Sequence, residues 1–116
     1  MENDNFINIF KALDYLRDHA AMYAEAKANR VYLDEYRKSK KAMLMQQAEL
    51  EGAKSVASQE VVAYAHPEYI TLLEGLKEAV EAEEKLRWLI VAAQAKVEVW
   101  RSLSANQRYE SKTLGA

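Results

Sequence analysis

Residues 67–108 read PEYITLLEGLKEAVEAEEKLRWLIVAAQAKVEVWRSLSANQR, and this stretch decides the fold. It holds a single glycine, Gly75, no proline after Pro67, and almost no turn-forming residues. Pro67 suits the first helical position, where a missing N–H costs nothing, and Glu68 suits the positive end of the helix dipole. A stripe recurs at alternating steps of three and four: Leu76, Ala79, Glu83, Leu86, Ile90, Ala93, Val97, Trp100. The spacing predicts one helix, about 60 Å long at 1.5 Å per residue. Such a helix needs partners along its face. The expected architecture is all-α: an elongated helical hairpin with a long C-terminal helix, oligomerising through helix packing at Leu76, Leu86, Ile90, Val97 and Trp100.

Upstream, Asn3, Asp4 or Asn5 can cap a first helix carrying the stripe Phe6, Ile9, Leu13, Leu16, Ala20 and Tyr23. The stripe loses phase over residues 28–34, which reads as a bend, a short loop or a heptad shift. A more polar stripe follows through Leu33, Tyr36, Lys40, Met43, Leu44, Gln47 and Leu50. Gly52 and the run Ser55-Val56-Ala57-Ser58 weaken the helix after it. His66-Pro67 is a firm boundary, because the residue before proline is pushed out of the helical region. The reading is a single helical domain over 1–116, with helical segments at about 5–28, 31–63 and 67–108 and a frayed tail at 109–116.

Half of the 116 residues are apolar, but alanine supplies many of them, so a monomer makes only a modest core. No cysteine is present, which excludes disulfides, thiolate metal sites and cysteine nucleophiles. No apolar run approaches the roughly 20 residues that span a bilayer. The start, Met-Glu-Asn-Asp-Asn, lacks the basic region of a signal peptide, so the expected location is cytoplasmic, with no membrane partner.

The net charge of −2 conceals blocks. Residues 27–54 carry seven bases against four acids, and residues 85–116 carry six bases against two. Residues 67–84 carry six glutamates against Lys77. Two readings stand: positive charge gathered into one region of an assembly, or blocks that neutralise each other across packed helices.

Chemistry is sparse. His19 reads as an exposed helical residue and His66 as a cap or turn. Glu74, Glu78 and Glu81 share a helical face and can hold a divalent ion, as in an all-α pyrophosphohydrolase, only if a second acidic set faces them. A solvated glutamate face is the plainer reading. Phosphate loops and nucleophile elbows are missing. The expectation is a protein that is not an enzyme, with no catalytic or metal-binding residues and no cofactor.

Two basic constellations remain. Arg37, Lys38, Lys40 and Lys41 follow Tyr32 and Tyr36, and can meet phosphates beside stacking rings. Arg87, Gln94, Arg101 and Arg108 recur every seventh residue on the long helix, where a row of bases can track a nucleic-acid backbone.

The order of features has a likeness. A Tyr- and Ala-rich first helix leads through Tyr36 to Lys40-Lys41-Ala-Met-Leu-Met and a glycine-containing link. A long helix then opens on tyrosine and carries Leu86-Arg87-Trp88-Leu89-Ile90, Lys96-Val-Glu-Val-Trp100-Arg101-Ser102 and Arg108. Over roughly residues 20–108 this resembles the UvsY-type recombination mediators of tailed phages. The resemblance implies a ring-forming homo-oligomer that binds single-stranded DNA. It also implies a role in loading a strand-exchange recombinase onto DNA coated by single-strand-binding protein, both of them partners. It places DNA contact on Arg37, Lys38, Lys40 and Lys41, more weakly on Lys54; Arg101 and Arg108 join them from the row above. Lys54 stands alone in the link, and the acid-rich first helix has no counterpart in the family pattern. The alternative is a non-enzymatic helical scaffold or interaction protein without DNA binding.

Overall fold

The computed structural model describes residues 7–115. It is an all-α helical hairpin, and α1 (Ile9–Leu50), α2 (Val56–Ala65) and α3 (Pro67–Gly115) follow in order. The caps expected at Asn3, Asp4 or Asn5, and Phe6 of the first stripe, lie outside the described residues. Asn8 caps α1: its side-chain oxygen accepts the Lys11 N–H at 3.1 Å.

α1 runs unbroken through residues 28–34, where the sequence suggested one segment ending and another starting. The inward-facing positions continue there at steps of three and four, but they are held by Arg30, Asp34, Arg37 and Lys41, all half-buried. Apolar periodicity fades while helical periodicity does not. The break falls at residues 51–55 instead. Gly52 takes φ +116°, with its N–H on the Glu49 carbonyl at 3.2 Å and the Ala53 N–H on the Ala48 carbonyl at 2.9 Å. These paired bonds and the left-handed glycine close the helix end as a Schellman motif.

Ser55 then caps α2 in a reciprocal box with Ser58: each side-chain oxygen accepts the other's backbone N–H, at 3.0 and 3.2 Å. Buried Gln59 donates to the Ala53 carbonyl at 3.0 Å and ties the linker down. His66 is extended, φ −67° and ψ 134°, and α3 starts at Pro67 as the sequence required. The His66 Nδ1 accepts the Glu68 N–H at 3.0 Å, capping α3. α3 continues to Gly115, beyond the fray expected from residue 109. Between Gly75 and Gly115 it holds no glycine or proline, and the Thr113 hydroxyl donates to the Tyr109 carbonyl at 3.0 Å.

The chain forms two compact units that draw on the same two long helices: Met1–Tyr23 with Lys85–Ala116, and Ala24–Glu84. In the second, Arg30 meets Glu83 and Lys40 meets Glu68, so α1 and α3 run antiparallel. Its core is Leu44, Ala63 and Tyr69 with Met45 packed alongside, and Tyr64 meets Tyr69 edge-on with centroids 5.4 Å apart. In the first unit Ala12 and Ala93 are the buried apolar residues. Along α3 the stripe predicted from sequence is the inward face: Ala79, Glu83 and Ala93 are buried, and Leu76, Leu86, Ile90 and Val97 are half-buried. Trp100, at 40% exposure, stands apart from it. The buried seam is rich in alanine, so the helix faces approach closely while burying little area.

Candidate nucleic-acid interface

The Arg37–Lys41 cluster is engaged with acids. Arg37 donates to Asp34 at 3.1 Å; contact with the Tyr69 side chain and then with Asp34 holds its guanidinium above the ordinary arginine value. Lys38 pairs with Glu35 at 3.2 Å. Lys40 donates to Glu68, which raises the lysine and lowers the carboxylate. Lys41 sits 4.7 Å from the centre of the Tyr64 ring and donates to Glu60 at 2.9 Å. The Tyr64 side chain and then Glu60 hold its ammonium well above the lysine range. Four bases that look like a patch in sequence are each matched by a carboxylate, two from the same helix and two from α2 and α3.

Elsewhere the bases are differently placed. Lys54 is exposed in the linker and meets no carboxylate among the described residues. Arg101 pairs with Glu98 one turn back at 3.2 Å, both side chains exposed. Arg108 and Lys112 lie one turn apart beside Tyr109, which is 72% exposed; the three line a shallow groove with Ser111. Neither base meets a carboxylate among the described residues. Arg101, Arg108 and Lys112 fall on one face of α3 at steps of seven and four.

Charge divides between the two units. Residues 7–23 and 85–115 carry eight bases against four acids, whereas Ala24–Glu84 carries eight against twelve. The positive surplus belongs to the C-terminal stretch of α3, and Lys112 was missed by the sequence reading. Its signal was present: Lys112 follows Arg108 by four residues, one turn further along the side of the arginine row.

α3 carries a second apolar row at three- and four-residue steps, Trp88, Val91, Ala95 and Val99, all exposed. Trp88 is 58% exposed, with the Arg87 guanidinium 4.5 Å from its ring centre. Of the expected oligomerisation residues, Leu76, Leu86, Ile90 and Val97 face inward and Trp100 is open. His19, read from sequence as exposed, is half-buried: its ring stacks on Tyr15 with centroids 3.8 Å apart. Among the described residues no group of three or more histidines, cysteines and carboxylates is arranged to hold a metal ion, the Glu74, Glu78 and Glu81 face included. No helix among them is long and apolar enough to cross a membrane.

Compared with known proteins, the chain matches no family model, no curated sequence and no solved structure.

Proposed function

We propose that this chain is a self-associating helical protein that binds single-stranded DNA without bond chemistry and assists the loading of a strand-exchange recombinase. The observation that carries the DNA reading is the surplus of positive charge on the C-terminal stretch of α3. There Arg108 and Lys112 meet no carboxylate among the described residues, and Tyr109 lies exposed between them. Ammonium and guanidinium groups in that state release counterions when they meet phosphates. An exposed aromatic beside them supplies a surface on which an unpaired base can stack. The mediator role, with a recombinase and single-strand-binding protein as partners, rests on the resemblance to UvsY-type proteins.

The Arg37, Lys38, Lys40 and Lys41 cluster takes a secondary part, because phosphates must displace Asp34, Glu35, Glu68 and Glu60 to reach it. Self-association is favoured by the exposed Trp88, Val91 and Val99 row and by Trp100. Several copies supply avidity that one sparsely charged chain lacks.

Fluorescence anisotropy with labelled single- and double-stranded oligonucleotides across a salt series tests this. Single strands should bind more tightly, and log K should fall linearly with log salt. Arg101→Ala, Arg108→Ala and Lys112→Ala together should weaken binding at least tenfold. A well-folded wild-type chain with no affinity for single strands at low salt would refute the reading. The matched pairing of the Arg37–Lys41 bases favours a second reading, a helical interaction protein that never touches DNA, and that result would select it.

A further inference from the structure

The unit of residues 7–23 and 85–115 contains a cleft of about 770 Å³ between the first turns of α1 and the middle of α3. Its volume lies within the roughly 300–1,000 Å³ of small-molecule sites. Alanines create the space: Ala12 on α1 and Ala92 and Ala93 on α3 line it where larger side chains would fill it. Lys11, Tyr15 and His19 follow at successive four-residue steps and therefore stand in one row along the α1 wall. Lys96 lines the α3 wall.

These side chains are unusually well prepared. The Tyr15 and His19 rings stack at 3.8 Å with planes 17° apart. The Tyr15 carbonyl can only accept, so His19 Nδ1, 2.9 Å away, carries a proton and donates. That bond fixes the ring and leaves Nε2 as its remaining polar atom. Asp18, the acid lining the cleft, is held by Arg17 at 2.9 Å. Lys11 and Lys96 meet no carboxylate among the described residues.

We propose that this cleft takes one nucleotide of a single strand. The base stacks against the Tyr15–His19 pair, and Lys11 and Lys96 meet the neighbouring phosphates. A flat ring system with anionic groups beside it matches an aromatic wall that shares its cleft with two uncommitted ammonium groups. Duplex DNA is excluded, because its bases are paired and stacked within the helix. The inference deepens the single-strand reading and rests on it: the Arg108 row follows the backbone, and the cleft grips a base.

The test uses the full chain, a fluorescein-labelled oligo-dT strand and its duplex, with thymidine monophosphate as competitor. Lys11→Ala with Lys96→Ala should weaken oligo-dT binding about tenfold. It should also lower the slope of log K against log salt by about 0.7 for each lysine lost. Lys11→Arg with Lys96→Arg should restore both. His19→Ala should weaken binding while leaving the slope unchanged, since it removes stacking and not charge. Lys77→Ala, an exposed lysine of the other unit, is the charge control and should change neither. Circular dichroism confirms that each variant is folded. If the Lys11 and Lys96 variants bind like wild type while Arg108→Ala does not, the cleft proposal fails and the single-strand reading stands. If wild type binds no single strand, the reading itself fails. Displacement of oligo-dT by equimolar thymidine monophosphate would overturn the strand assignment in favour of a free nucleotide.

Discussion

Lys41 shows why charge counted along a chain differs from charge offered to a partner. Its ammonium lies over Tyr64 and against Glu60, and Lys40 is likewise held by Glu68. Removing the acids releases the bases. Glu60→Gln with Glu68→Gln should raise affinity for single-stranded DNA several-fold at low salt, measured by anisotropy; unchanged affinity would mean that this face takes no part. Glu83 gives a second prediction. It is 5% exposed, and Arg30 holds its carboxylate below the ordinary value of 4.5 against the opposing pull of burial. A carboxyl lowered in the folded state binds fewer protons folded than unfolded, so its contribution is complete above 4.5 and is lost as pH falls through the folded value. Thermal melts should therefore hold steady near neutrality and decline below about pH 4.5. Glu83→Gln should flatten that acid limb and lower the neutral-pH melting temperature, because the charge-assisted contact between Arg30 and Glu83 is lost.

At the scale of elements, the inward stripe of α3 was legible almost residue by residue, because apolar and small side chains occupy its helical repeat. α1 was harder. Arg30 and Arg37 fill positions that packing marks as inward, so a pattern built on apolar residues sees a gap where the helix continues. The real interruption was written in Gly52, whose positive φ any side chain would strain. A Cβ at Gly52 would meet nothing within 4 Å, so Gly52→Ala isolates the backbone cost. Chemical denaturation should show a loss of about 1–3 kcal/mol. Leu44→Ala, which empties the small core around Tyr69, should cost about 2–5 kcal/mol. The signs of the candidate site were readable from the sequence, but its pairings were not. Whether Lys40 finds Glu68 depends on how α1 is aligned with α3, and no local pattern encodes that alignment.

For the whole molecule, alanines make up most of the buried apolar residues described, while Trp88, Val91, Val99 and Trp100 stay in solvent, so the chain should self-associate. Light scattering should give a mass above 13.3 kDa at micromolar concentration. Trp88→Asp with Trp100→Asp should return it toward the monomer with helicity intact, since neither side chain is buried. A monomeric wild type would remove the basis for avidity. One ion pair bears on a different property, conformational uniqueness. In the Ala24–Glu84 unit, Ala48, Ala63 and Ala79 are among the buried residues, and alanine can replace alanine when two helices slide past each other. Such a seam is a scale without graduations. The Arg30–Glu83 contact, 2.6 Å long with Glu83 buried, is its index mark: any slip pulls a buried carboxylate away from the guanidinium that faces it across the seam. Arg30→Met with Glu83→Leu should keep or raise the melting temperature yet multiply the amide peaks seen by NMR, as one alignment gives way to several.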